Sequence, residues 1–269
     1  MSQTFTRILF LLFFLFLLGY FLISISSLLF LEKIIYPVPQ VGYSDSTEDI
    51  IKLTTNNNVL ISAKYVKNPN SDLVVLYSHG NGEDIASAMD LVTEIYELGF
   101  SVLIYDYAGY GTSEGKPGVS QTKLDIEAAY QYLISVEKIP AKNIIIYGRS
   151  IGGGPSVHLA SKNKVGGLVL ESTFASIYRS QFPYVVLPFD KYPNIEHIDQ
   201  VEAPVLIFHG TKDTTIKYWN AKMLYTAAKE PKKLITVEGA GHNNLLVTAD
   251  DIYSESLLEF KKSVLEEMN

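Results

Sequence analysis

The run Ile144-Ile145-Ile146-Tyr147 is apolar and β-branched, and it breaks at once into Gly148-Arg149-Ser150-Ile151-Gly152-Gly153-Gly154. No other stretch limits the possible folds as tightly. A buried strand that feeds Gly-x-Ser-x-Gly and then a helix must turn sharply, with no room for a β-carbon at Gly148 or Gly152 against the neighbouring strand and helix. Such a turn lifts the Ser150 hydroxyl clear of the backbone. It also sets the Ile151 N–H at a helix N-terminus, where an unpaired donor and the helix dipole stabilise a developing oxyanion. Ser150 is therefore the expected nucleophile and Ile151 one expected oxyanion donor. With 18 glycines in 269 residues the pattern also fits a plain flexible turn, so its context carries the argument.

That context is an alternation of strands and helices. Ile50–Thr54 and Val59–Val66 read as two antiparallel strands joined by Asn56-Asn57-Asn58, since asparagine tolerates left-handed turn geometry. Leu73–Ser78, Val102–Tyr105, Ile144–Tyr147, Gly167–Glu171, Val205–His209 and Leu234–Val237 read as core strands, the first of them continuously apolar as in a strand buried on both faces. Ile85–Leu98, Thr122–Val136, Gly153–Ser161, Tyr218–Ala228 and Ile252–Leu265 carry helical periodicity. The expected class is α/β: a mostly parallel sheet flanked by helices, with ligands at the C-terminal strand ends. The aromatic and proline-rich stretch from about 174 to 201 interrupts the alternation and is expected to form a small cap.

Ahead of this domain, Ile8–Leu31 is uncharged and rich in Leu, Phe and Ile, longer than the about 20 residues a bilayer-crossing helix needs. Residues 1–35 are read as an N-terminal transmembrane anchor, 36–42 as an extended linker around Tyr36-Pro37-Val38-Pro39, and 43–269 as the domain. A cleaved signal peptide is the rival, because Ser24-Ile25-Ser26 offers a small-x-small site. Hydrophobicity nevertheless continues past it through Leu28-Leu29-Phe30-Leu31. The flanking charges, Arg7 against Glu32-Lys33, give a slight bias toward a cytoplasmic N-terminus and an extracytoplasmic domain.

A net charge of −7 and the lack of any basic run argue against nucleic acid as a partner. The absence of cysteine removes disulfides, a thiol nucleophile and thiolate metal sites. No His/Asp/Glu cluster has metal-ligand spacing, so no metal is expected. The glycine-rich loop Asp106–Gly115 lacks the Lys-Ser/Thr of a phosphate cradle and reads as a loop walling the site.

A serine hydroxyl needs a base to take its proton. Of five histidines, His242 lies in Gly239-Ala240-Gly241-His242-Asn243 after the last strand, on a loop able to reach over the strand ends. His79, His158, His197 and His209 are the less suitable ones. Asp213, in His209-Gly210-Thr211-Lys212-Asp213, is placed to orient the base and to stabilise its protonated form, although a turn or cap aspartate would look the same. Asp190 is the other acid, within the presumed cap. The order Ser, Asp, His suits hydrolases built on such a sheet. The second oxyanion donor is expected from His79-Gly80-Asn81-Gly82-Glu83-Asp84, with the Asn81 amide first and Gly82 as alternate.

These blocks, with Asp106-Tyr107-Ala108-Gly109-Tyr110-Gly111, Glu171-Ser172-Thr173-Phe174 and Ala203-Pro204-Val205-Leu206-Ile207-Phe208-His209-Gly210, resemble the α/β-hydrolase superfamily. More narrowly they resemble its membrane-anchored abhydrolase-domain branch, which includes the bud-emergence-type (Bem) hydrolases and the protein depalmitoylases and is similar in profile to the serine aminopeptidase group. The resemblance implies a cofactor-free serine hydrolase with Ser150, His242 and Asp213 working through an acyl-enzyme. Two departures stand out: Ala108 where the branch usually has arginine, and Thr214-Thr215-Ile216-Lys217 in place of an acidic-Ile-Val-Pro turn. An esterase or thioesterase acting near a membrane on a small-molecule, lipid or acyl-protein substrate is the leading expectation. An aminopeptidase-like peptidase and a non-catalytic binding protein on the same scaffold are the alternatives, and oligomeric state is left open.

Overall fold

Pro37 cannot donate to a helix ladder, and the first helix of the chain ends just before it, with Tyr36 N–H closing the last turn on the Glu32 carbonyl at 3.1 Å. The computed structural model describes residues 3–46, 49–185, 187, 189–249 and 251–268. It divides into two units, Met1–Pro37 and Val38–Asn269. The first is helix α1, Gln3–Ile35, which extends the expected apolar span at both ends. From Phe5 to Ile35 it is long and apolar enough to cross a bilayer. Its Ser24 hydroxyl donates back to the Tyr20 carbonyl at 2.8 Å, which satisfies a polar group inside the apolar run.

Among the described residues the second unit is built on eight strands: β1 Ile51–Thr54, β2 Leu60–Val66, β3 Val74–Ser78, β4 Ser101–Tyr105, β5 Ile144–Arg149, β6 Gly167–Glu171, β7 Val205–Gly210 and β8 Lys232–Val237. Their order in the sheet is β1-β2-β4-β3-β5-β6-β7-β8. β2 runs antiparallel to both β1 and β4, and every other pairing is parallel. Asn58, in the turn between β1 and β2, takes a φ of 62°. The central strands β3, β4 and β6 are buried at every residue, as their unbroken apolar runs require when helices cover both faces.

The helices are α2 Met89–Glu97, α3 Val119–Gln131, α4 Gly153–Ala160, α5 Trp219–Ala227, α6 Leu245–Ala249 and α7 Asp251–Met268. Leu91, Val92 and Ile95 of α2 and Tyr253, Leu257, Phe260 and Val264 of α7 pack into one cluster with Tyr77, Tyr147 and Phe208 of the sheet. Burying each of these side chains contributes about 1.5–3 kcal/mol before conformational entropy is counted.

Several features differ from the sequence expectation. α2 begins at Met89 rather than Ile85, because the backbone before it is spent on tertiary bonds. The Asp84 carboxylate accepts Ser87 N–H at 2.9 Å and Gly42 N–H at 2.7 Å, while Ile85 N–H donates to Asp106 Oδ1 at 2.9 Å. α3 starts three residues earlier than expected and then widens over Tyr132–Val136 into i→i+5 bonding, ended by Glu137 N–H on the Tyr132 carbonyl at 3.1 Å. α6 carries only two fully buried side chains, Leu245 and Ala249, too few to give a readable period.

Among its described residues the connection from Phe174 to Val201 holds three single 3-10 turns, Tyr178–Ser180, Asn194–Glu196 and Ile198–Gln200. Asn194 Nδ2 donates to the Phe174 carbonyl at 3.0 Å, and Ala175 N–H donates to Asn220 Oδ1 at 3.0 Å, which ties the connection to α5. Val186 and Pro188, within the expected cap, lie outside the described residues.

Candidate active site

β5 delivers Ser150 to the C-terminal edge of the sheet, and close packing fixes the turn that follows. A β-carbon on Gly148 would sit 2.6 Å from the Gly152 carbonyl oxygen, and one on Gly152 would sit 2.1 Å from the Ser78 carbonyl oxygen. Both neighbours are backbone and cannot move aside. Ser150 itself has a φ of 52°, left-handed geometry that a β-carbon disfavours. The Thr173 hydroxyl holds it there by donating to the Ser150 carbonyl at 2.7 Å.

The loops after β7 and β8 meet Ser150 from the other side. Ser150 Oγ lies 2.9 Å from His242 Nε2, and His242 Nδ1 lies 2.7 Å from Asp213 Oδ2. The second oxygen of Asp213 accepts Thr215 N–H at 2.9 Å and Ile216 N–H at 2.8 Å, so the carboxylate cannot rotate without breaking three bonds. Asp213 is buried, while the His242 side chain keeps 13% exposure. A histidine reachable from solvent beside an aspartate shielded from it is an arrangement able to hold a transient imidazolium. The two loops are locked together: Lys212 N–H donates to the Ala240 carbonyl at 2.9 Å and Gly239 N–H to Thr211 Oγ1 at 3.0 Å.

Ile151 follows Ser150 in a short 3-10 turn that leads into α4. Asn81 is exposed on the loop after β3, and the elbow packs on that loop through Gly152 against Ser78 and His79. Among the described residues no hydrogen bond engages the Ile151 or Asn81 amide. Two tyrosines of the Asp106–Gly115 loop buttress the backbone around Asn81: Tyr107 OH donates to the His79 carbonyl at 2.6 Å and Tyr110 OH to the Asn81 carbonyl at 2.9 Å.

His79 and His158 face other carboxylates, while His209 borders Asp213, with its Nε2 3.5 Å from Oδ2. His79 is buried under its own loop, with Nδ1 2.8 Å from the Gly80 carbonyl and Nε2 3.3 Å from Asp106 Oδ1. Burial opposes its charge, but the Asp106 carboxylate and Gly80 carbonyl outweigh it and hold the imidazole above its ordinary pKa. His209 Nε2 lies 2.8 Å from the Ile216 carbonyl, and burial pushes its pKa down. His158 Nε2 sits 2.9 Å from Glu127 Oε1. Asp190 accepts Lys191 N–H at 2.7 Å and Tyr178 N–H at 3.3 Å, a local turn role. Among the described residues no group of three His, Cys, Asp or Glu is placed to hold a metal ion.

Sequence reasoning passed over Arg149, Glu83, Glu171 and Asn243. The Arg149 guanidinium pairs with Glu83 Oε1 through Nη1, with Glu171 Oε1 through Nε at 3.2 Å, and with Asn243 Oδ1 through Nη2 at 3.1 Å. A buried strand end carrying arginine next to the expected nucleophile was the available signal, because such a charge requires partners.

The profile of the family described as serine aminopeptidase, S33, matches residues 69–190. The human alpha/beta hydrolase domain-containing protein 17B is 34% identical over 233 residues, covering 84% of this chain and 79% of the relative. The alpha/beta hydrolase domain-containing protein aho-3 of Caenorhabditis elegans is 36% identical over 231 residues, covering 84% and 68% respectively. Among solved structures, the Pyrococcus furiosus esterase Pf2001 superposes with a TM-score of 0.70 at 21% identity, over 85% of this chain and 99% of that one, which establishes a shared fold. With its sheet order and flanking helices in that fold, and with one third of its residues identical across most of such a relative, the chain belongs to the α/β hydrolase domain-containing proteins and is a hydrolase.

Proposed function

We propose that the chain is a serine hydrolase that cleaves acyl esters or thioesters close to a membrane, with Ser150, His242 and Asp213 as its triad. The observation that carries this reading is the unbroken hydrogen-bonded line from Ser150 Oγ through His242 to Asp213, at 2.9 and 2.7 Å. Ser150 Oγ attacks the acyl carbonyl carbon while His242 Nε2 takes its proton, and Asp213 holds the opposite nitrogen and stabilises the imidazolium. The negative charge that gathers on the carbonyl oxygen is met by the Ile151 and Asn81 amides, each worth about 2.7–4 kcal/mol in the transition state. Collapse expels the alcohol or thiol, which takes the proton from His242. Water then attacks the acyl-Ser150 ester with His242 again as base, releasing the carboxylic acid and restoring the hydroxyl.

The S33 profile supports peptide hydrolysis as a second reading. An aminopeptidase must receive a substrate ammonium group, whereas the open groove that Asp213 borders, which neither Ser150 nor His242 lines, carries three cations, Lys212, Lys217 and Lys222. Glu83 and Glu171, two further carboxylates beside the elbow, are held by Arg149. That electrostatic setting favours a neutral or anionic substrate, of which a lipid or an acylated protein is the membrane-borne form. Helix α1 supports placement at a membrane, and Arg7 favours an extracytoplasmic side for the unit Val38–Asn269.

The test is a panel of p-nitrophenyl esters, acyl thioesters and aminoacyl amides, run with wild type and Ser150→Ala. Ester or thioester turnover that is lost in the variant supports the proposal. Preference for aminoacyl amides would replace it with the peptidase reading, and no turnover by a folded wild type with any of the three classes would point to a binding protein.

A further inference from the structure

The loop that carries Asn81 is closed by one residue. Glu83 N–H donates to the Gly80 carbonyl at 3.3 Å, and Glu83 Oε2 accepts Gly80 N–H at 2.7 Å, so Asn81 and Gly82 form the exposed tip of a four-residue turn. The Gly80 carbonyl also faces His79 Nδ1 at 2.8 Å, on the buried side. Across a trans peptide the carbonyl oxygen and the following N–H point in opposite directions. With the Gly80 oxygen pinned inward, the Asn81 N–H is aimed away from the core.

Glu83 is in turn held by Arg149, whose side chain is only 12% exposed and whose other nitrogens reach Glu171, at the end of β6, and Asn243, next to His242. Burial disfavours the guanidinium charge, and the surrounding carboxylates reverse this and raise its pKa, so it stays charged at any working pH. One planar cation thus contacts the turn bearing Asn81, is covalently next to Ser150, and bonds the residue after His242. These three parts follow separate strands, β3, β5 and β8.

We propose that Arg149 and Glu83 are a positioning pair that sets the Asn81 amide and the His242 loop relative to Ser150. The inference rests on the reading of Ser150, His242 and Asp213 as a triad with Asn81 as an oxyanion donor. A fork is needed for this task, because a guanidinium presents donors in fixed directions where an ammonium does not. Neither side chain reaches the reacting atoms, so loosening the pair lowers the rate of acyl transfer without weakening ground-state binding.

The experiment compares wild type, Glu83→Gln, Arg149→Gln, Arg149→Lys and the double Gln variant in ester hydrolysis and in hydrogen exchange by mass spectrometry. Glutamine at 83 retains an acceptor for Gly80 N–H and its shape, which keeps the turn foldable. The expected result is a kcat lowered about 10-fold to 100-fold in each single Gln variant with KM changed less than about twofold. The double variant should lose no more than the worse single, as for residues acting as one unit. Arg149→Lys should recover only part of the loss, and exchange should quicken in peptides covering residues 78–84 and 239–244 while the sheet stays protected. Unchanged kcat, a loss confined to KM, or losses that multiply in the double variant would overturn the pairing. If the wild type itself shows no Ser150-dependent turnover, the triad reading fails. The exchange arm still decides whether Arg149 couples the two loops, and unaltered exchange in both peptides would refute that coupling.

Discussion

The Thr173 hydroxyl, two residues past the end of β6, donates to the carbonyl oxygen of Ser150, a residue held at a φ of 52°. The bond joins the segments that follow two neighbouring strands and fixes Ser150 in that left-handed geometry. Thr173→Val keeps the shape and leaves that carbonyl without its hydroxyl donor, so stability should fall by about 1–3 kcal/mol. Reaction with a fluorophosphonate should slow about tenfold or more, because small misplacement of the attacking atom costs far more in rate than in stability. Denaturant titration and labelling kinetics check both. Equal effects on the two, with labelling reduced only as far as the folded fraction, would show that Thr173 serves the fold alone.

Gly152 and Gly82 should respond in opposite ways to alanine. A β-carbon at Gly152 meets the Ser78 carbonyl at 2.1 Å, whereas one at Gly82 meets nothing within 4 Å. Gly152→Ala should therefore cost at least the about 1–3 kcal/mol typical of overpacking, and more because backbone is what it strikes. Gly82→Ala should stay within about 0.5 kcal/mol of wild type. Thermal melts of the pair check the contrast, and comparable melting temperatures would show that the elbow has slack.

Asp125 predicts a pH signature. Its carboxylate is buried on α3, accepting Ala108 N–H at 3.0 Å and Gln121 Nε2–H at 2.9 Å, and burial outweighs these bonds to raise its pKa to about 7. In the unfolded chain the group titrates near 3.9. Between about pH 4 and 7 the native state therefore retains a proton that the unfolded chain has released, and stability falls as pH rises through that window. Asp125→Asn removes this contribution while an amide oxygen still accepts from Ala108. The variant should gain on wild type by a few kcal/mol between pH 5 and pH 8, because each tenfold change in proton affinity is worth about 1.4 kcal/mol. A stability difference that is the same at both pH values would contradict this account.

The elements most legible in the sequence were those whose signal is local. Ile144–Tyr147 and Val205–His209 reveal themselves as buried strands through unbroken apolar runs, and Gly148, Gly152 and the Asn56-Asn57-Asn58 turn follow from backbone geometry. The start of α2 was not legible, since it depends on Asp84 and Ile85 bonding to Gly42 and Asp106, and no periodicity encodes such distant partners. Arg149 was hidden for the same reason: Glu83 is 66 positions away and Asn243 is 94 away, and only the order of strands in the sheet brings them together. Asp213 and His242 were legible as candidates because each lies in a turn soon after a strand, His242 in a glycine-rich one, which brings both to the C-terminal edge of the sheet.

The central claim is that Ser150 is a nucleophile activated by His242 and Asp213. The most direct measurement is labelling of the full chain with a fluorophosphonate, followed by mass spectrometry of the adduct, in wild type and in Ser150→Ala. The account predicts a single phosphonyl adduct on Ser150 in the wild type and none in the variant. A folded wild type that stays unlabelled, or an adduct that persists after Ser150 is replaced, would contradict it.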